Sequence, residues 1–353
     1  MVRKKLKHAL KRVKKADPSV ALQQAADSAP RITNETVAEH REAVLKGARK
    51  YILPLQHSKH QIVVITTVLF VASIIGFFTY LTLGLYKFQD SSTFLYRVTQ
   101  VLPFPVARSG GDFIAYENYL FELRHYMHYY ENQQKLSFDD DNGKQQLNSF
   151  KAQARQKVVD DALVRNLAKQ NGVSVSDKEV TDQINMVRSQ NRLGENDKVF
   201  ENVLKDYWDW TVGDFKRSLK QQLLARKLVA KLDKETTTRA NTALAELNGG
   251  ADFAAVAKKY SDDTATKDNG GEYGFQIDRT NRDLSAQTVA ALFTLQPGQI
   301  SGLVNTGYSL EIVKNIEKTG ERVRGAHILF NFKDINVYLD PLKETQKTTI
   351  FIR

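Results

Sequence analysis

One run of residues without a charged side chain, from Ile62 to Tyr86, limits what this chain can fold into. At 1.5 Å per residue, an α-helix of about 25 residues crosses a hydrocarbon core of roughly 30 Å. A buried helix of a soluble domain normally has a polar face, whereas only scattered Thr and Ser interrupt this run. About sixty residues precede it and no A-x-A-like site follows it, which disfavours a cleaved signal peptide. We therefore predict that residues 61–86 form an uncleaved transmembrane signal anchor.

The net charge of +11 is distributed unevenly around this run. Residues 1–60 contain 14 Lys or Arg and 5 Asp or Glu, a net charge of +9, whereas residues 61–353 have a net charge of +2. The positive-inside rule predicts a cytoplasmic tail, 1–60, and an extracytoplasmic part that follows the single membrane span. The densest basic run, Lys4 to Lys15, lacks the interleaved aromatic residues of a stacking surface. We therefore expect attraction to anionic lipid and no nucleic-acid partner, and a further cytoplasmic partner of the tail stays open.

The extracytoplasmic sequence changes its pattern along the chain. Residues 87–105 end in Leu-Pro-Phe-Pro, which cannot continue a helix, and are interpreted as a linker. Residues 106–235 have helical periodicity, with capping signals, and contain no nucleophile motif or phosphate-binding glycine loop. Residues 236–333 mix helical and strand patterns, which predicts an α+β domain with a hairpin around Gly320. A helix and a strand follow at 334–353, and the strand's partner is open between the α+β sheet and residues 106–108.

Two compositional features bear on function. Cysteine is absent, which excludes disulfides, thiolate zinc sites and a cysteine nucleophile. Aromatic residues are concentrated at the start of the helical region, where they are predicted to lie on one helix. Two interpretations of them stay open: packing against neighbouring helices, or exposure on a face that binds a fixed partner. The seven residues are Phe113, Tyr116, Tyr119, Phe121, Tyr126, Tyr129 and Tyr130.

Four sequence motifs in the α+β block occur in a distinctive order. They are GGADFAAVAKKYSDD (249–263), GGEYGF (270–275), LQPGQISGLV (295–304) and GYSLEIVK (307–314). In order and spacing this block resembles the parvulin type of peptidyl-prolyl cis-trans isomerase. The preceding block, through KVVDDALVRNLAKQNGVSVSDKEV (157–180) and PVARSGGDFIAYENYL (105–120), resembles the N-terminal chaperone region of the SurA and PrsA foldases. Together the resemblance covers about two thirds of the chain.

This resemblance implies a fold class and a function. The expected fold is α+β, with a single transmembrane helix, an all-helical SurA-like domain and a parvulin-like domain. The expected activity is cis-trans isomerisation of X–Pro bonds in unfolded or exported polypeptides, which are the expected partners. No cofactor and no metal are expected.

The strand that carries the histidine has a different position along the chain from the one it has in the family. Parvulins open with a strand of the type HILV, whose histidine lines the active site, whereas AHILF lies here at 326–330, after the last strand. A second, truncated parvulin domain is disfavoured because only 27 residues remain from His327 onward. We therefore favour a circular permutation, in which the hairpin supplies this strand from the C-terminal side.

The site residues depart from the family as well. His327 and the family's Cys-or-Asp position, Asp263, are kept, whereas the second histidine falls at Glu311. The proline-pocket aromatic falls near Thr288, and the pocket methionine falls near Leu284. We expect Glu311 to accept a hydrogen bond from His327 and to raise its basicity. The resulting assignment is catalytic for His327, Asp263 and Glu311, and substrate-binding for Leu284, Thr288, Phe275 and Phe293.

Three functional hypotheses follow. His327 and Asp263 favour an active isomerase, of weak or moderate activity, with a chaperone arm. Glu311 and Thr288 favour a catalytically inert chaperone whose parvulin-like domain only cradles peptide. The aromatic residues leave a third hypothesis open, an envelope scaffold bound to a fixed partner. The clients and the oligomeric state do not follow from the sequence.

Overall fold

The computed structural model describes residues 18–27, 32–189 and 196–352. The chain divides into two compact units, Met1–Tyr80 and Leu81–Arg353. In the described part of the first unit, helix α1 spans Pro18–Asp27 and helix α2 begins at Asn34 and ends at Thr82. The basic run at residues 4–15 lies outside the described residues, so its role stays a prediction.

The predicted membrane span lies in α2 and in the π-helical turn that continues it, Leu83–Phe88. The stretch His60–Phe88 is long and apolar enough to cross a bilayer, and its most apolar part is not buried. Four hydroxyl groups within it donate to carbonyl oxygens three or four residues earlier, so they need no water. These hydroxyls belong to Thr66, Thr67, Ser73 and Thr79.

The residues that follow Tyr80 are an ordered part of the second unit. Leu81 and Leu85 are completely buried in the core of the helical region. The segment 87–105, interpreted from the sequence as a linker, contains helix α3, Thr93–Val101, whose Leu95 is also completely buried. The start of the second unit is therefore packed rather than extended.

A hairpin and a set of helices build the helical region. Strands β1, Pro105–Ser109, and β2, Asp112–Ala115, precede the long helices. The hairpin shares one hydrophobic core with the helices Tyr116–Asn132, Asp141–Gln170 and Val212–Leu232. Phe113 was expected at the start of the first of these helices and instead lies in β2, because the Gly110–Gly111 turn reverses the chain there. The helices are α4 Tyr116–Asn132, α5 Asp141–Gln170, α6 Asp177–Ser189, α7 Asp197–Trp208, α8 Val212–Leu232 and α9 Lys234–Asn248.

The aromatic residues of α4 pack mainly inside this region. Tyr116, Tyr119 and Phe121 are buried. Tyr126 and Tyr130 are half-buried against the same core, where both rings contact Phe150 of α5. The packing interpretation therefore accounts for most of these rings.

A four-stranded antiparallel sheet forms the second half of the unit, with the strand order β3–β6–β5–β4. Strands β5 and β6 form a hairpin whose turn contains Gly320 at φ +60°, a left-handed conformation that favours glycine. One face packs against α9 and α10, and the other packs against α11. The elements are α10 Phe253–Tyr260, β3 Glu272–Ile277, α11 Ala286–Thr294, β4 Val304–Asn305, β5 Ser309–Thr319 and β6 Arg322–Asn331.

The C-terminal elements return to the helical region. Helix α12, Asn336–Thr345, packs on α5, and the short strand β7, Thr349–Ile350, pairs antiparallel with β1. Leu339 and Ile352 are buried in the core that also holds Leu81 and Leu85. Of the two pairings left open by the sequence, the last strand therefore uses β1 rather than the larger sheet.

Candidate functional site

The hairpin of β5 and β6 places a charged cluster on one face of the larger sheet. Val313 lies directly opposite His327, and Glu311 lies opposite Leu329. Directly paired residues share a face, and alternate residues along a strand point to the same side. His327 and Glu311 therefore project together toward α11, although they are 8% and 7% exposed.

The segment after α10 brings a second carboxylate to His327. This segment runs beside β6, because the backbone N–H of Asp262 donates to the carbonyl oxygen of Leu329 at 2.8 Å. The Leu329 N–H donates in turn to Ser261 Oγ at 3.1 Å. As a result, Asp263 Oδ2 lies 2.8 Å from His327 Nε2. The sequence-predicted pair of Asp263 and His327 is thus brought into direct contact.

Hydrogen bonds keep the Asp263 carboxylate in its charged form. Burial opposes that form, but hydrogen bonds from Thr266 and His327 outweigh it and lower the pKa of Asp263 below its ordinary value of 3.8. Thr266 Oγ1 donates to Asp263 Oδ2 at 2.5 Å, and the backbone N–H of Ala265 donates to Oδ1 at 3.0 Å. The carboxylate is therefore held in one orientation toward the imidazole.

Glu311 does not make the hydrogen bond to His327 that we expected. Its Oε2 lies 3.8 Å from His327 Nδ1, an ion-pair distance that is too long for a hydrogen bond. The same oxygen instead accepts a hydrogen bond from Thr288 Oγ1 at 2.8 Å. Glu311 is thus held by α11 and acts on His327 through its charge.

The two carboxylates set the protonation of the buried histidine. Burial by itself lowers the pKa of His327, but the nearby carboxylates of Glu311 and Asp263 outweigh this, so the pKa is raised above 6.5. The two carboxylates therefore stabilise the imidazolium form in an environment that excludes most water. A charged N–H in such an environment forms stronger hydrogen bonds than it would in bulk water.

The glycine turn before β3 places an aromatic ring on the histidine. The N–H of His327 donates to the carbonyl oxygen of Gly271 at 2.8 Å. Gly271 has φ +77°, and a Cβ there would lie 2.2 Å from the His327 carbonyl oxygen, so the close approach requires glycine. Two residues later, the ring of Tyr273 lies 4.4 Å from the His327 ring. The Tyr273 hydroxyl is buried and has no hydrogen-bond partner among the described residues.

The predicted substrate-binding residues lie in different environments. Leu284 and Phe293 are half-buried against an apolar cluster that Tyr273 also contacts. Phe275 is 40% exposed, and its ring lies 6.0 Å from the Tyr273 ring. Thr288 is only 1% exposed, so it does not line an open surface. Instead, it donates a hydrogen bond to the buried Glu311 carboxylate. A role of Leu284, Phe275 and Phe293 in substrate binding stays a prediction.

Two members of the site were not identified from the sequence. No sequence pattern identifies Thr266 as a site residue, because its contact with Asp263 depends on the conformation of a loop. Tyr273 had a signal, since it lies two positions before Phe275 and alternate residues of a strand share a face. Among the described residues, no group of three or more His, Asp or Glu side chains is placed to hold a metal ion.

Two known protein families match successive regions of the chain. The family described as a SurA-like N-terminal domain matches residues 55–229, and the family described as a PPIC-type PPIase domain matches residues 223–317. The chain therefore carries a SurA-like N-terminal domain followed by a parvulin-type rotamase domain. Strand β6 lies beyond the matched part of the second family.

The similar curated proteins are foldases and a chaperone. The foldase protein PrsA of Caldanaerobacter subterraneus is 31% identical over 195 residues, 50% of this chain and 60% of that protein. The foldase protein PrsA of Clostridium acetobutylicum is 29% identical over 220 residues, 61% of each chain. Chaperone SurA of Thiobacillus denitrificans is 35% identical over 115 residues, 30% of this chain and 25% of that protein. The chain thus spans about 60% of the length of the PrsA relatives, which are its homologues.

A solved structure of peptidylprolyl isomerase (PrsA) from Bacillus anthracis was also found. The match has 21% sequence identity and covers 54% of this chain and 87% of the solved chain. Its TM-score is 0.17, which is too low to argue for a shared fold.

Proposed function

We propose that this chain is a membrane-anchored extracytoplasmic foldase that isomerises X–Pro bonds in exported polypeptides and holds those polypeptides as a chaperone. The observation that carries the catalytic part is the contact of His327 with Asp263 on the side of the sheet that faces α11, next to the region that matches a rotamase domain. Homology to foldase proteins PrsA supports the polypeptide-binding part. The apolar stretch His60–Phe88 and the basic tail support the anchor and its orientation.

Prolyl isomerisation needs no covalent step. The reaction must cross a rotational barrier of about 18–20 kcal/mol that arises from amide resonance. A dry apolar site lowers this barrier, since the twisted amide has less charge separation than the planar one, and oriented hydrogen bonds favour the twisted form. In this chain Asp263 would hold His327 beneath the substrate carbonyl, while Leu284 and Phe293 would bury the proline ring.

We also propose that β6 replaces the first strand of a parvulin sheet. The support is its position between β3 and β5, since the first and last strands of the family's sheet are central neighbours. Because the hairpin turn at Gly320 joins β5 directly to β6, only a short connection is needed to bring β6 into the sheet. In the proposed permuted domain, His327 enters the site from the C-terminal side.

A second function, an inert peptide-binding chaperone, is favoured by one observation. Glu311 replaces the family's second histidine, and it is buried in a hydrogen bond with Thr288 instead of facing solvent. In that case the parvulin-like domain would only cradle the peptide. The two functions share client binding and differ in catalysis.

A protease-coupled isomerisation assay separates these functions. The full chain in detergent micelles would be compared with His327→Ala and with a control, His128→Ala, a half-exposed histidine of α4 that lies outside the site. We expect acceleration by the wild type and by His128→Ala, and loss of most of it in His327→Ala. If the wild type matches the uncatalysed rate but suppresses aggregation of an unfolded client, the inert chaperone is correct. Failure in both assays would favour the scaffold hypothesis.

A further inference from the structure

Helix α3 presents apolar side chains on the outside of the second unit. Phe94 and Val101 are 52% and 81% exposed, and their seven-residue spacing places them on one face of the helix. Arg97 is also exposed and lies three residues after Phe94, on the same face. Leu95 and Thr99 lie on the opposite face and are buried. The helix is therefore amphipathic, and its outward face combines apolar groups with a cation.

The position of α3 in the chain brings this face to the predicted membrane span. About 20 apolar residues cross a hydrocarbon core, and the stretch that begins at His60 provides them before Leu81, which is completely buried in the second unit. Residues 89–92 alone separate the π-helical turn from α3. A Cβ at Gly84 would lie 3.0 Å from Leu95 Cδ1, so α3 packs closely on that turn. A chain anchored by this stretch therefore holds α3 beside the bilayer, without a long linker.

The charged groups that this segment exposes are cations. Arg97 forms no ion pair with any residue that the structure describes. Lys87 is exposed, and its Nζ lies 5.7 Å from the centroid of the exposed Phe88 ring. Asp90 is the only acidic residue from 81 to 103, and its half-buried carboxylate accepts a hydrogen bond from the backbone N–H of Ser92. The exposed side chains of this segment are therefore apolar, neutral or basic.

One carboxylate of a neighbouring helix lies near this face, but a cation already binds it. Glu117 of α4 lines a hollow together with Val101 and Pro103. Arg217 donates to both of its carboxylate oxygens, at 2.7 and 2.8 Å. A protein that covered this face would have to supply a new acid for Arg97, whereas an anionic bilayer offers phosphate and hydrocarbon at the same surface. The chemistry of the face thus favours lipid.

We propose that the outward face of α3 docks on the outer leaflet of an anionic bilayer, with Phe94 and Val101 at the acyl boundary and Arg97 on lipid phosphate. Amphipathic helices bind in the plane of the interface through a buried apolar face and through attraction to anionic lipid. This docking rests on the proposed membrane anchor, which brings the second unit to the bilayer. It adds a peripheral contact that fixes the helical region against the membrane surface.

The full chain in vesicles of phosphatidylcholine and phosphatidylglycerol tests this docking. Because cysteine is absent, Val101→Cys provides a single site for the environment-sensitive fluorophore NBD. Val337→Cys, at an exposed valine of α12, is the matched control. Lipid with a nitroxide on its acyl chain quenches a fluorophore that lies in the bilayer. We expect the quenching at position 101 to be at least about threefold stronger than at position 337, because only the first probe would enter the interface.

A charge reversal tests the contact with lipid phosphate. Arg97→Glu, combined with Val101→Cys, should lower the quenching towards that of Val337→Cys, because the anionic surface would then repel the helix. Lys318→Glu changes the net charge by the same amount at an exposed position of β5 and should leave the quenching unchanged. Vesicles of phosphatidylcholine alone should weaken the quenching of the Val101→Cys probe. Quenching that is the same in Arg97→Glu would overturn the role given to Arg97.

Flotation of the same vesicles after an alkaline carbonate wash separates docking from anchoring. A chain that floats with the vesicles but shows equal quenching at positions 101 and 337 would overturn the docking and leave the anchor in place. A face reserved for a protein partner would give this result, since no other protein is present. If the chain does not float with the washed vesicles, the proposed anchor fails, and the docking fails with it.

Discussion

His327 Nε2 and Asp263 Oδ2 lie 2.8 Å apart, although the two residues are 64 positions apart in the chain. The contact forms because the segment after α10 is hydrogen-bonded along β6, so its geometry is fixed by backbone pairing rather than by two flexible side chains. A rigid pair of this kind, on the face of a rotamase-type domain, is the basis of the proposed catalysis.

The first prediction concerns the pH dependence of this pair. The carboxylates of Asp263 and Glu311 raise the pKa of His327 above 6.5, so its stabilising charge is present below pH 6.5 and is lost as the pH rises through the raised value. The pKa of Asp263 is lowered from 3.8, so its contribution is present above that pH and is lost on further acidification. We expect the stability advantage of the wild type over Asp263→Asn to be largest between about pH 4 and 6.5.

Nuclear magnetic resonance titration of the His327 ring, combined with denaturation at several pH values, measures this directly. In Asp263→Asn the pKa of His327 should fall, because burial then opposes the charge with one carboxylate fewer. A wild-type ring that titrates at or below pH 6.5 would contradict this electrostatic account.

The second prediction concerns the Tyr273 hydroxyl, which is buried without a partner among the described residues. Tyr273→Phe removes a group that gains nothing from folding, so we expect the free energy of unfolding to stay equal or to rise by about 1 kcal/mol. Tyr273→Ala removes a half-buried ring beside His327 and should cost about 2 kcal/mol or more. Chemical denaturation in detergent measures both variants. A loss of more than about 1 kcal/mol in Tyr273→Phe would show that the hydroxyl has a partner in the folded protein.

The third prediction concerns strand β6, which we propose replaces the first strand of a parvulin sheet. Strand β6 has a neighbour on each side, whereas β4 is at the edge of the sheet and pairs only with β5. Central, doubly paired strands open less often than edges, so the backbone amides of Val323 to Phe330 should exchange with solvent among the slowest in the sheet. Hydrogen exchange read by mass spectrometry tests this. Exchange in β6 as fast as in β4 would argue against a central role for this strand.

The fourth prediction concerns membrane orientation, and the absence of cysteine makes it simple to test. Single substitutions Thr33→Cys, in the tail, and Lys318→Cys, at the exposed end of β5, each introduce one thiol. In intact cells, a membrane-impermeant maleimide should label Lys318→Cys and leave Thr33→Cys unlabelled until the membrane is permeabilised. Labelling in the reverse order would contradict the proposed topology.

Local features of this chain were predictable from its sequence. Ser176 with Glu179 and Thr211 with Asp214 form capping boxes, and both can be read from the three-residue spacing alone because each needs only one helical turn. The β5–β6 hairpin follows from two strand patterns around a glycine turn. In both cases the interacting residues are close in sequence.

Features that depend on distant packing were not predictable. The pairing of β7 with β1, the burial of Leu81 and Leu85 and the hydrogen bond of Thr288 with Glu311 join residues that are far apart in the chain. Likewise, the Tyr273 ring reaches His327 only because Gly271 lets β3 approach β6 closely. Sequence patterns record which faces are apolar, but they do not record which faces meet.

The central claim, that the contact between His327 and Asp263 catalyses isomerisation, is tested most directly by a double-mutant cycle. Exchange spectroscopy would measure the cis–trans interconversion rate of a short X–Pro peptide with the full chain in detergent, with His327→Ala, with Asp263→Ala and with the double variant. If the two residues act as a unit, each single variant should lose most of the acceleration and the double variant should lose little more. Acceleration that survives in His327→Ala, or that is absent in the wild type, would contradict the account.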